Sequence, residues 1–173
     1  GGGLAIYGGI IGGLLVGCLV AKLRKVKILP LLDIVGIGFL LGQGIGRWGN
    51  FFNQEAFGCN TNSIFSMSGG KIQEWITYSY PNTTFYQNFG TVLDASQPVH
   101  PCFLYESLWC LLGFVLLAIF AKKIRRYDGQ IFLIYIGWYG LERAFVEGLR
   151  TDSLVIGSIR VSQMLAILCV VAS

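Results

Sequence analysis

Long apolar runs separated by short charged stretches dominate this chain, and their lengths predict membrane-crossing helices. Leu4 to Ala21 holds no charged residue, and Ile28 to Gly46 holds only Asp33. Cys102 to Ala121 carries only Glu106, while Gln130 to Leu149 carries Glu142, Arg143 and Glu147. A helix needs about 20 residues to cross a hydrocarbon core, so these four runs predict four spans. A fifth run, Val161 to Ser173, is too short and looks cut off, and the chain opens on Gly1-Gly2-Gly3 without a methionine. Both ends therefore read as trimmed, and the chain as a fragment. The expected fold is an all-α polytopic membrane protein with about five transmembrane helices. Residues 1–49 would hold two helices and a basic cytoplasmic loop. Residues 50–101 would form a small extracytoplasmic head, and 102–173 three more helices, the last truncated.

Composition narrows the class further. Of 173 residues, 54% are hydrophobic and 13% charged, with a mean hydropathy of +0.62. Soluble domains carry roughly 25% charged residues, so disorder, a coiled coil and a soluble single domain are excluded. Eight of the thirteen Lys and Arg sit in two short connections: Lys22, Arg24, Lys25 and Lys27, then Lys122, Lys123, Arg125 and Arg126. The positive-inside rule puts both connections in the cytoplasm. The net charge of +4 thus reflects topology and not a nucleic-acid footprint. Of five cysteines only Cys59 lies outside a predicted span, so neither a disulfide framework nor a metal site is expected.

Glycines recur at helical spacing: Gly8, Gly9, Gly12, Gly13 and Gly17 in the first span, Gly38, Gly42 and Gly46 in the second. Such stripes let helices approach closely in lipid. The dense run from Gly42 to Gly49 also suggests backbone that unwinds or leaves room for a ligand.

Ionisable groups inside a span cost about 2.5–3.5 kcal/mol on insertion scales, which marks them as functional candidates. Tyr139, Arg143 and Glu147 share one helical face, where Arg143 and Glu147 can pair. With both loops inside, Arg47 and Asn50 fall at the outer end of the second span, and Arg143 and Glu147 in the outer third of the fourth. Tyr7 opens the first span on that side, and His100, Tyr105 and Glu106 the third. Asp33 alone lies at the inner end, where a carboxylate suits the helix dipole. Two guanidinium forks at one depth select phosphate or carboxylate. In the outer leaflet this points to a lipid headgroup, with Asn50, Gln54, Tyr139 and His100 as neutral hydrogen bonders. A structural salt bridge, a small-anion transporter or channel and a membrane scaffold remain the alternatives. The first leaves the second arginine unexplained. A transporter is expected to show inverted repeats and an inward polar path, and neither is seen.

The run Gly46-Arg-Trp-Gly-Asn-Phe-Phe-Asn-Gln-Glu-Ala-Phe-Gly58 resembles the signature G-R-x-G-N-F-x-N-x-E-x-x-G of the bacterial prolipoprotein diacylglyceryl transferases. Gly2 to Gly9, His100 to Glu106 and Tyr139 to Asp152 agree in order and spacing. The resemblance implies a seven-helix enzyme of the bacterial plasma membrane, of which this chain would hold roughly five helices. It further implies transfer of the diacylglyceryl group of phosphatidylglycerol to the lipobox cysteine of a preprolipoprotein, with no cofactor. On this reading Arg47 and Arg143 bind the headgroup and the departing phosphate, in either order. Glu147 orients Arg143, Tyr139 lies beside it, and Asn50, Glu55 and Gly58 occupy signature positions. Many family members carry histidine where this chain has Tyr7. Tyrosine, with a pKa near 10, is a poor base at neutral pH, so the thiol's base stays open between His100 and the arginine field.

Overall fold

The computed structural model describes residues 3–82, 92–146, 155–156 and 159–160, with side-chain surroundings for 12–82 and 92–146. Among these described residues five α-helices follow in chain order: α1 Gly3–Leu23, α2 Ile28–Asn53, α3 Gly70–Glu74, α4 Cys102–Ile124 and α5 Gln130–Val146. Helix α3 continues through a π turn, Trp75–Ser79, and a 3-10 turn, Tyr80–Asn82. Two-residue strands, β1 Val155–Ile156 and β2 Ile159–Arg160, pair antiparallel. Apart from that hairpin, the regular elements among the described residues are helical. Among the described residues, α2 and α4 are long and apolar enough to cross a membrane. At 1.5 Å per residue they run about 39 and 35 Å, more than a hydrocarbon core of about 30 Å. The fifth apolar run, from Val161, lies outside the described residues.

Helices α2, α4 and α5 pack as the central group. The buried stripe of α2 is Asp33, Gly36, Leu40 and Gly44, a helical face at offsets of three, seven and eleven. This corrects the expected packing stripe. A methyl on Gly44 would lie 2.9 Å from Leu111 Cγ, and one on Gly36 would lie 3.3 Å from Phe132 and Tyr135. At Gly38, Gly42 and Gly46 it would meet nothing within 4 Å. Those three share a face turned away from α4 and α5. The backbone does not unwind at Gly42–Gly49 either: α2 stays helical to Asn53.

The interior is closed by Leu40, Cys110, Leu117, Ile131 and Tyr135. Above them Trp109 of α4 and Trp138 of α5 stack with ring centroids 4.6 Å apart. Each indole Nε1–H donates to the other residue's backbone carbonyl at 3.0 Å. Gly113 makes this possible, because any Cβ there would collide with the Trp138 indole. A buried indole needs a partner for its N–H, and this pair satisfies both.

Asp33 secures one end of the group. Its carboxylate is 4% exposed and accepts the N–H groups of Gly129 and Phe132, both at 3.0 Å. Arg125 Nε lies 3.0 Å from it. The aspartate thus caps the start of α5 and not that of its own helix. It lies in the second turn of α2, beyond reach of that dipole, whereas the first N–H groups of α5 lack helical partners.

The outward faces are apolar. Ile34 is 70% exposed and Ile119 64%, as expected of surface that meets lipid instead of water. Between α2 and α4 the chain forms a small head around Phe57, Ile72, Ile76, Tyr80, Val99 and Phe103. Val99 bridges to both Asn60 and Met67. Asn60 clips the Asp94 backbone, donating to its carbonyl at 2.9 Å and accepting its N–H at 2.8 Å.

Candidate functional site

Arg47 lies fourteen positions beyond Asp33, and Arg143 fourteen beyond Gly129. Because Asp33 and Gly129 touch, equal rises of about 21 Å carry both arginines to the same level. Helix α4 runs the other way and delivers Glu106 between them. Glu106 Oε2 lies 2.8 Å from Arg47 Nη1, and Oε1 lies 2.8 Å from Arg143 Nη1. The carboxylate is 0% exposed, while the guanidiniums are 20% and 17% exposed. One carboxylate against two permanent cations leaves a net charge of +1, with part of each guanidinium open to a further anion.

The position of Glu106 is itself held. Next to it, Ser107 Oγ donates to the Gly44 carbonyl at 2.8 Å, and Trp48 Nε1 donates to Ser107 Oγ at 3.2 Å. The close approach at Gly44 brings α4 near enough for one carboxylate to bridge both cations. Glu142, directly before Arg143 on α5, is 2% exposed, and the Sγ of Cys110, one turn beyond Glu106 on α4, lies 3.6 Å from its Oε2. The rings of Tyr135 and Tyr139 stack at 6.3 Å, and Gln43 Nε2 donates to the Tyr135 hydroxyl at 3.1 Å.

The other sequence-derived candidates divide. Tyr139 is partly buried on α5, one turn before Arg143, with its ring stacked on Tyr135. Asn50 anchors the end of α2, where its carbonyl accepts the N–H groups of Gln54 and Glu55. Gln54 there takes a left-handed conformation, φ 56°. Glu55 is exposed and accepts from Asn53 Nδ2 at 3.1 Å. It lines a hollow of about 230 Å³ with Gln54, Phe57, Lys71 and Trp75. Gly58 is buried and donates its N–H to the His100 carbonyl at 2.9 Å. His100 Nδ1 lies 3.1 Å from the Tyr105 hydroxyl, and its N–H donates to the Cys59 carbonyl. This histidine ties the head to α4. Glu147 and the side chain of Tyr7 lie outside the described residues.

Two carboxylates received no role from the sequence. Glu106 carries the signal of being the sole charge in its span, yet the expected partner of Arg143 was Glu147 on the same helix. Glu142 stood out only as a charge in an apolar run. Among the described residues no group of histidine, cysteine and carboxylate side chains is arranged to hold a metal.

An apolar helical chain with a charged cluster buried between its helices belongs to the membrane proteins, and in this one two arginines share one glutamate. Sequence comparison refines that class. The family model described as "Prolipoprotein diacylglyceryl transferase" matches residues 1–173, and the chain belongs to that family. It is 42% identical over 174 residues to the phosphatidylglycerol–prolipoprotein diacylglyceryl transferase of Listeria monocytogenes serotype 4a, covering 99% of this chain and 57% of that protein. It is 43% identical over 173 residues to the protein of the same name from Bacillus cereus strain G9842, covering 99% and 58%. The chain therefore spans somewhat over half the length of these relatives.

Proposed function

We propose that the polypeptide carrying this chain transfers the diacylglyceryl group of phosphatidylglycerol to the lipobox cysteine of a preprolipoprotein. The observation that carries the reading is the Arg47–Glu106–Arg143 cluster, in a chain whose family is named for that reaction. A thiolate attacks the glyceryl carbon, the carbon–oxygen bond to phosphate breaks, and glycerol 1-phosphate departs. The reaction needs fixed positive charge where negative charge grows on the phosphate, which preorganised guanidiniums supply without reorganisation. In this proposal Arg143 holds the departing phosphate and Arg47 grips the headgroup. Glu106 fixes the spacing and planes of both forks. Tyr139 and Asn50 supply neutral hydrogen bonds, and Glu147 orients Arg143 from the next turn. Glu55 and Gly58 shape the mouth where the peptide arrives. Tyr7 bonds the headgroup, and His100 anchors the head.

The protein is set, in this proposal, in a bacterial plasma membrane with the Lys22–Lys27 and Lys122–Arg126 connections inside. The cluster then faces the outer leaflet, where headgroup and signal peptide meet. In this proposal the whole protein has seven helices. Exposed apolar side chains along α2 and α4 support the lipid setting. No observation favours an anion transporter.

The test uses the full-length polypeptide in proteoliposomes containing labelled phosphatidylglycerol and a lipobox peptide. Arg47→Ala and Arg143→Ala are expected to abolish transfer, and the Lys replacements to impair it, since a point charge lacks the two-pronged donor. Near wild-type transfer by Arg143→Ala overturns the assignment.

A further inference from the structure

One buried carboxyl beside the arginine cluster makes no ion pair with either guanidinium. Glu142 is 2% exposed, and its Oε1 has no hydrogen-bond partner among the described residues. An unpaired polar atom in an apolar interior costs about 1–3 kcal/mol, and more when charged. A site that keeps one is prepared for a donor from outside. Glu142 lines a cavity of about 240 Å³ whose other walls are Tyr105, Trp109, Phe145 and Val146. Phe145 is 71% exposed, so this slot reaches the outer flank of the bundle, from which a membrane-anchored substrate would enter. The carboxyl is faced by Cys110, Glu106 and Tyr105 from α4, by Arg47 from α2, and by Arg143 and Tyr139 from α5.

Other acceptors at this level are unsuited or engaged. The buried Oε1 of Gln43 also lacks a partner, but an amide oxygen is not a base. The His100 ring is bonded through Nδ1 to the Tyr105 hydroxyl, and its backbone N–H and carbonyl are tied to Cys59 and Gly58 in the head. Resting on the transferase reading, we propose that Glu142 is a catalytic residue that accepts the proton of the incoming thiol.

The step balances. The S–H proton moves to Glu142 Oε1 as sulfur bonds to the glyceryl carbon. The carbon–oxygen bond breaks with its electron pair on the phosphate oxygen, and the proton later leaves with the phosphate or to water. With Glu142 ionised, two guanidiniums and two carboxylates sum to zero. Protonating Glu142 raises the cluster to +1 at the moment the phosphodiester monoanion becomes a monoester dianion. One proton thereby activates the nucleophile and strengthens the hold on the leaving group.

The experiment compares wild type, Glu142→Gln and Glu142→Asp in the full-length polypeptide, in the proteoliposome assay, from pH 6 to 9. General-base contributions run about 10²–10⁴-fold. Glu142→Gln is expected to lose at least about 100-fold in kcat at pH 7, with KM for phosphatidylglycerol unchanged. It should recover as pH approaches the thiol pKa near 8.5. A kcat within threefold of wild type, or a loss equal at every pH, overturns the proposal. If Glu142→Gln does not accumulate folded, Glu142→Asp decides with a selenocysteine lipobox peptide, whose selenol ionises without a base. Its defect should appear with the thiol peptide and vanish with the selenol peptide; equal defects overturn the proposal. Wild type without transfer would instead refute the transferase reading itself.

Discussion

Replacing Glu106 by glutamine keeps the shape of the side chain and removes the charge that two arginines share. At 2.8 Å and an effective dielectric constant of about 20, each pair has a gross attraction of roughly 6 kcal/mol. Desolvation of a fully buried carboxylate offsets most of that. Removing one partner of a buried pair still costs about 3–5 kcal/mol, because an uncompensated charge stays behind. The guanidiniums, about a fifth exposed, recover some hydration, which favours the lower end of the range. Thermal unfolding of the full-length polypeptide in detergent micelles measures the difference. A loss of about 3 kcal/mol is expected for Glu106→Gln. The triple variant Arg47→Met, Glu106→Leu, Arg143→Met removes all three charges and is expected within about 1 kcal/mol of wild type, since apolar replacement of a whole buried network is often neutral. It should nevertheless have no transferase activity. A Glu106→Gln protein within about 0.5 kcal/mol of wild type would refute the bridged arrangement. A triple variant as unstable as the single one would refute the electrostatic reasoning behind it.

Gly113→Ala drives a methyl into the Trp138 ring and is expected to cost about 1–3 kcal/mol, with altered tryptophan fluorescence; an unchanged spectrum would count against the stack. Gly38→Ala, where the added carbon meets open space, should be neutral or stabilise by about 0.5–1 kcal/mol, whereas Gly44→Ala should destabilise. Asp33→Asn is expected to lose about 1–3 kcal/mol and to speed amide exchange at Gly129 and Phe132 first. In the head, the Ser96 hydroxyl and N–H hold the Asp94 carboxyl below its ordinary pKa of 3.8. The Asp94–Ser96 turn is therefore complete above about pH 4 and loosens as pH falls through the depressed value. Limited proteolysis of the head should be constant from pH 7 to 5 and rise below 4.

The helices were readable because lipid enforces them: a span short of charge from Ile28 or Cys102 has few alternatives to a helix. Their ends were less so. Nothing in Gly46–Asn53 says that the signature run continues α2 until Gln54 turns left-handed. The face that meets α4 and α5 was not legible, because Gly38, Gly42 and Gly46 repeat at an ideal spacing, while Gly36 and Gly44 stand out only against Phe132 and Leu111. The level of the arginines followed from loop charge and helix direction. The identity of their shared carboxylate did not, because Glu106 lies 37 positions from Arg143 and only the antiparallel pairing of α4 brings them together. Glu142 was hidden for a related reason: what matters is an oxygen without a partner, a property of surroundings and not of spacing.

The two polar contacts between opposite ends of α2 and α5 have a mechanical meaning. Asp33 grips Gly129 at one level, and Glu106 ties Arg47 to Arg143 about 21 Å away. A slide of one helical turn, about 5.4 Å, would break both at once and present each charge to hydrocarbon. The pair therefore behaves as a ruler with two fixed marks. Piston motion is closed to it, and any gap that admits a lipid must come from a neighbour swinging aside while the ruler holds its length.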